Sequence, residues 1–269
     1  MTKKSKKQNK KKRASAGNLN DVLFAFGVPL FGAILLGQAL VAIIGADSST
    51  LSRSSIILSS IGLISMFYGM RKYKTPGMGL RGGRPLFSSA GFAFMGWVAI
   101  LVCRFFFVEI DGSALNQPLF SIFLYLLLFE AFAVQVWAFS LVFKAVSELF
   151  GGVAAAFASG VSFATVAFFY FQEIAIFSPL INNSVWLLLL TILYVLAWGI
   201  FYGMVRLRTG SILGIVLVQA MQSLTAWELI PPLPVLDNTN FNPLFFISIV
   251  LYAILIWRLW PKELSDHRI

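Results

Sequence analysis

An all-α, polytopic transmembrane helical bundle of about eight spans is the fold this sequence predicts. Three observations carry that expectation. Apolar residues make up 58% of the 269-residue chain and charged ones 12%, with a mean hydropathy of +0.83, whereas a soluble domain carries about 25% charged residues. Apolar runs of about 17–25 residues, the length that crosses a bilayer as a helix, recur along the chain. The basic residues fall on alternate connections between those runs, as loops on one side of a membrane do under the positive-inside rule.

The elements follow in chain order. The tail 1–20 opens with Lys3, Lys4, Lys6, Lys7, Lys10, Lys11, Lys12 and Arg13. It has almost no apolar side chain that could pack, so it is expected to be disordered. Its charge holds it in the cytoplasm and suits it to anionic lipid headgroups, at about 1 kcal/mol per basic residue near the surface. No nucleic-acid partner is expected. The first apolar run, 22–45, is longer than the roughly 7–15-residue core of a signal peptide, so it reads as a span. Further spans are expected at 55–70, 88–108, 118–143, 150–171, 185–205, 211–226 and 243–258. The second, seventh and eighth are short and need flanking residues or neighbours to cover the bilayer.

Arg71, Lys72, Lys74, Arg81 and Arg84, then Lys144, then Arg206 and Arg208, then Arg258, Lys262 and Arg268 all fall on one side. The opposite connections hold Asp47, Glu109, Asp111, Glu173, Glu228 and Asp237, with Arg53 the basic exception. An even number of spans with both termini cytoplasmic fits this pattern. The chain divides into the tail, N-terminal spans at 21–117, a core at 118–227, and a last span and cytoplasmic tail at 228–269. The 228–243 connection carries four prolines and reads as a stiff connector.

Polar residues inside the spans are the candidates for function. Glu130 lies near the middle of the fourth span, where a charge is expensive, about 2.5–3.5 kcal/mol on insertion scales. Arg104 in the third span is its possible partner, although the two differ in depth by about 12 Å from the helix rise. An ion pair and outward snorkelling of the arginine are both open. Gln135, five residues after Glu130, falls on a somewhat different face of an α-helix. Gln219 and Ser223 are four apart and share a face, with Gln222 beside them. They read as hydrogen bonds between helices, at about 0.6 kcal/mol each, or as part of a polar cavity shared with Glu130. The Gly199–Gly203 GxxxG pattern and the small residues from Ala154 to Gly160 read as close helix packing. The single cysteine, Cys103, excludes an internal disulfide, and the single histidine, His267, is near the C-terminal end.

The order of these features resembles the CAAX prenyl protease and bacteriocin-processing (CPBP) family of intramembrane metalloproteases, over roughly residues 118–227. The family has Glu-Glu-x-x-x-Arg in one helix, Phe-x-x-x-His in the next and His-x-x-x-Asn in a later one. The run AWGIFYGMVRLRTGSILGIVLVQAMQS matches the framework around the third motif. The resemblance implies a CPBP-like core, with glutamate as general base and histidines holding a metal or an oxyanion. The motif residues depart from that pattern. Glu130 is kept, but Ala131 and Gln135 stand at the second acid and the arginine. Phe163 is kept and Ala167 replaces the histidine, while Gln219 and Ser223 replace the last histidine and asparagine. Glu148 is an alternative first acid, only 15 residues before Phe163.

A catalytic zinc needs about three protein ligands and an open position. No expected span contains a histidine, and a glutamine amide is a weak, neutral ligand. No catalytic residue, metal ligand or cofactor is therefore expected. The resulting expectation is a non-catalytic CPBP-like protein, a binding subunit, assembly factor or stabiliser for another integral membrane protein. The alternatives are an active metalloprotease with non-standard ligands and a lipid or small-molecule carrier using a Glu130–Gln219 cavity. No phosphate-binding loop and no nucleophile elbow is present.

Overall fold

The computed structural model describes residues 18–44, 53–107, 118–171, 184–229 and 238–263. The basic tail to residue 17, most of the acidic connections and His267 lie outside them. All regular structure among the described residues is helical. The helices are α1 (Leu19–Ile44), α2 (Arg53–Gly77), α3 (Arg84–Phe107), α4 (Leu119–Phe150), α5 (Gly152–Tyr170), α6 (Val185–Thr209), α7 (Leu213–Leu229) and α8 (Asn238–Leu259).

Among the described residues, five helices are long and apolar enough to cross a membrane: Leu19–Leu40 of α1, Arg84–Val102 of α3, and α4, α5 and α6. The structure thus supports a multi-pass helical bundle, with five such helices among the described residues where the apolar runs predict eight spans. The apolar parts of α7 and α8 are shorter, Leu213–Thr225 and Pro243–Leu259. Helix α2 carries five serines and ends on Arg71, Lys72 and Lys74. Its position explains that composition, since α2 packs between α1 and α4. A Cβ at Gly62 would stand 2.7 Å from Ala133 Cα. Ser60 Oγ donates to the Ile56 carbonyl at 2.8 Å, and the Ser55 and Tyr125 hydroxyls bond across helices. Each serine hydroxyl so used needs no water.

Helix α4 is the centre of the bundle. Every residue from Ala133 to Phe143 is buried, as expected of a helix apolar all round and packed on every side. Trp137 Nε1 donates to the Ala25 carbonyl at 3.0 Å and ties α1 to it. Against α4 lie α5 and α6. The GxxxG pattern serves the contact of α5 with α6: a Cβ at Gly199 would meet the Gly160 carbonyl at 2.4 Å, and one at Gly203 the Ala156 carbonyl at 2.3 Å. This small-residue face is internal to the chain.

The basic connections gather at one end of the bundle. Asp21 at the start of α1 pairs with Lys72 near the end of α2. Burial works against the charge on Lys72, but the hydrogen bond to Asp21 and neighbouring groups outweigh it and hold its pKa above the usual value. The Cβ position of Gly77 is 3.9 Å from Lys144 Cε. Arg206 Nη2 reaches the Gly77 carbonyl at 3.3 Å.

The Arg-Leu-Arg-Thr-Gly-Ser stretch ends α6 and docks the α2–α3 turn. Gly210 caps α6 in the left-handed region, φ 76° and ψ 7°, and its N–H returns to the Arg206 carbonyl at 2.9 Å. Ile212 N–H then donates to the Gly79 carbonyl at 2.9 Å, and Ser211 Oγ to the Arg81 carbonyl at 2.8 Å. Gly79 itself has φ +74°, and a Cβ there would stand 2.6 Å from Arg206 Nε. Gly79→Ala is expected to destabilise the protein by about 1 kcal/mol, since alanine resists positive φ. Gly82→Ala, with nothing within 4 Å of the added atom, is expected to leave the melting temperature unchanged; detergent-solubilised thermal melts of the two variants check both outcomes.

Candidate functional site

Helix α4 is not an α-helix throughout. Leu126–Phe132 and Val136–Val142 are π-helical, with a short α segment, Ala133–Gln135, between them. The i→i+5 bonding of a π-helix widens the turn, so residues five apart approach one another along one face. That brings Glu130 and Gln135 onto the same neighbour, which corrects the sequence expectation that Gln135 falls on a different face. The neighbour is α7, where Gln219 and Ser223 share a face at ordinary α spacing.

The two pairs meet directly. Ser223 Oγ donates to Glu130 Oε1 at 2.5 Å, and Gln135 Nε2 donates to Gln219 Oε1 at 2.5 Å. All four residues are buried, both glutamines completely. The hydroxyl–carboxyl distance is in the short range of charge-assisted bonds. One bond between two primary amides leaves one oxygen and one nitrogen wholly unused. Gln135 Oε1 and Gln219 Nε2 are those atoms, buried and without a hydrogen-bond partner.

The remaining residues singled out in the sequence surround this cluster. Ala131 is fully buried against Val216 and Ala220 of α7, so its methyl lets α4 and α7 approach. Phe163 of α5 is fully buried, its ring centroid 5.6 Å from Phe139, 5.5 Å from Phe171, 5.0 Å from Trp198 and 5.8 Å from Tyr202. Ala167, one turn later, is also fully buried, and its carbonyl accepts the Phe171 N–H that ends α5. Gln222 joins the amide cluster to the aromatic one. Its Oε1 accepts from Tyr202 OH at 3.4 Å, and its Nε2 donates to Tyr194 OH at 3.5 Å.

Two expected residues do not enter the cluster as described. The side chain of Arg104 lies outside the described residues, so the Glu130–Arg104 pair does too. Glu148, the alternative acid, sits in the last turn of α4 and pairs with Lys144 at 3.5 Å. That places it with the basic end of the bundle, away from the Glu130 cluster. No residue pattern in α4 marks the π-helical segments. The bonds of Gln222 to Tyr194 and Tyr202 were missed as well; three polar residues within five positions of an apolar helix were the available signal.

No family model matches this chain, and no curated protein matches it. What the cluster can do therefore rests on its own chemistry. Among the described residues, no three of His, Cys, Asp and Glu come together as a metal-binding group. The side chains that converge are one carboxyl, two primary amides and one hydroxyl. They offer hydrogen bonds but neither a strong nucleophile nor an imidazole base.

Proposed function

We propose that this protein is a non-catalytic, multi-pass membrane protein with a CPBP-like core and both termini in the cytoplasm. It serves as a binding subunit, assembly factor or stabiliser for another integral membrane protein, and its basic tail engages anionic headgroups. The single observation that supports this reading is the direct closure of Gln135 on Gln219. In the CPBP resemblance these are positions of an arginine and a ligand histidine, which in a hydrolase face a substrate or an ion. Here Gln135 Nε2 and Gln219 Oε1 are bonded to each other, with Glu130 likewise bound to Ser223. Such an arrangement ties α4 to α7 through the polar positions of the former motifs.

A second reading, a carrier of small polar molecules, draws support from the unpartnered Gln135 Oε1 and Gln219 Nε2. One preparation separates the three readings. The full chain is purified in native lipid and assayed for zinc, for peptide cleavage, and for bound chains and small molecules by mass spectrometry. The expected result is a membrane protein at fixed stoichiometry, no stoichiometric zinc and no cleavage. Zinc at one per chain with chelator-sensitive cleavage overturns the proposal. A small molecule at fixed ratio, lost in Gln219→Leu, transfers support to the carrier.

A further inference from the structure

Arg206 is completely buried at the C-terminal end of α6, where the helix dipole favours a cation. Its Nε donates to the Phe139 carbonyl at 3.1 Å and its Nη2 to the Gly77 carbonyl at 3.3 Å. The Phe143 ring centroid lies 5.0 Å from its Cζ. Nη1 has no hydrogen-bond partner. No described carboxylate pairs with this guanidinium, and two described acids at this end of the bundle have other cations: Asp21 has Lys72 and Glu148 has Lys144. Arg81 adds a second positive charge to the same surroundings. A buried cation without a counter-charge is strongly unfavourable unless something else neutralises it.

The surface above Arg206 is the turn from Gly79 to Arg84. A Cβ at Gly79 would stand 2.6, 2.7 and 2.8 Å from Nε, Cζ and Nη2, so the guanidinium lies directly against the turn. At Gly82 and Gly83 nothing stands within 4 Å of an added Cβ, which leaves the outer side open. Arg81 is half-buried on the rim, with its Nε on the Pro76 carbonyl at 3.0 Å. Helix α3 starts at Arg84; Pro85 has no N–H and the Phe87 N–H donates to the Gly83 carbonyl, so the N–H groups of Arg84 and Leu86 are the first-turn donors that can favour an anion.

We infer that the Gly79–Arg84 turn, with Arg206 beneath it and Arg81 on its rim, binds a phosphate-type oxyanion. The rim guanidinium of Arg81 matches the oxygen spacing of phosphate, Arg206 contributes its charge from beneath the turn, and the glycines admit the anion close to the backbone. The same chemistry is offered by the phosphodiester of an anionic lipid and by free phosphate. This inference is independent of whether the α4–α7 cluster is catalytic.

The test uses the full chain in phosphatidylcholine nanodiscs. Inorganic phosphate is titrated against chloride at matched ionic strength, and short-chain phosphatidylglycerol against short-chain phosphatidylcholine. Melting temperature and native mass spectrometry are read together, so that an anionic lipid already bound is also seen. Saturable stabilisation by phosphate identifies a free anion as sufficient, and stabilisation by phosphatidylglycerol alone identifies a headgroup; either supports the site. Arg81→Gln is expected to weaken binding about tenfold, the loss of one charge-assisted hydrogen bond. Arg206→Met is expected to abolish it; where that variant does not fold, Arg81→Gln decides alone. Binding of neither anion, or wild-type binding by Arg81→Gln, overturns the inference.

Discussion

Gly199→Leu is expected to leave little folded protein. The Cβ alone would stand 2.4 Å from the Gly160 carbonyl oxygen and 3.1 Å from Gly160 Cα. Both are backbone atoms of a neighbouring helix, so no rotamer change relieves the clash. Helices α5 and α6 would have to separate along their length. Overpacking a core typically costs about 1–3 kcal/mol, and a backbone-to-backbone contact lies at or above the top of that range. Separation would also loosen Trp198 from Phe163, whose ring centroids are 5.0 Å apart. Within a marginal stability of about 5–15 kcal/mol, such a loss is decisive for yield. Fluorescence-detected size exclusion of solubilised protein reads it as a fall in the monodisperse peak. Gly91→Ala is the control, since nothing lies within 4 Å of its added atom. An unchanged peak for Gly199→Leu would mean that α5 and α6 do not touch as described.

That contact was legible in the sequence because small residues at four-residue spacing have few other uses in a membrane helix. Helix positions were legible for a similar reason: the run at 185–205 is Val185–Thr209 in the structure, and the run at 150–171 is Gly152–Tyr170. Spanning capacity was less so. Hydrophobic length alone does not describe α2, whose buried face with Ser55, Ser60 and Ser65 lies between α1 and α4 while Leu63 and Phe67 stay exposed on the other. The site shows the same limit more sharply. Gln219 and Ser223 share a face at the spacing of a regular α-helix, and α7 is regular there. For Glu130 and Gln135 that spacing misleads, because Leu-Leu-Leu-Phe-Glu-Ala-Phe carries no mark of π-helical bonding. The same apolar residues fit an α-turn or a widened one, so local residue preferences do not tell the two apart. By its place between spans Arg206 is a topology charge, and its burial under a glycine turn depends on Gly79, which is distant in sequence.

Gln219→Leu is expected to destabilise the protein by about 2 kcal/mol, and adding Gln135→Leu is expected to restore most of it. The single variant removes the acceptor 2.5 Å from Gln135 Nε2 and leaves a fully buried amide with no partner for either end. An unmade bond in a buried site costs about 1–3 kcal/mol, more than a made one contributes. With both side chains leucine, no polar atom remains to be satisfied, and two apolar groups of similar size face each other between α4 and α7. The coupling between the two sites should therefore be large and favourable to the double variant, as a double-mutant cycle on thermal melts would show. The cycle also separates structure from function. If the amide pair only joins two helices, the double variant keeps both its stability and its bound membrane partner. If the unpartnered Gln135 Oε1 and Gln219 Nε2 hold a ligand, the double variant is stable yet loses that ligand. Equal destabilisation by the single and double variants would show that the two amides do not depend on each other, and would remove the main support for a closed, non-catalytic cluster.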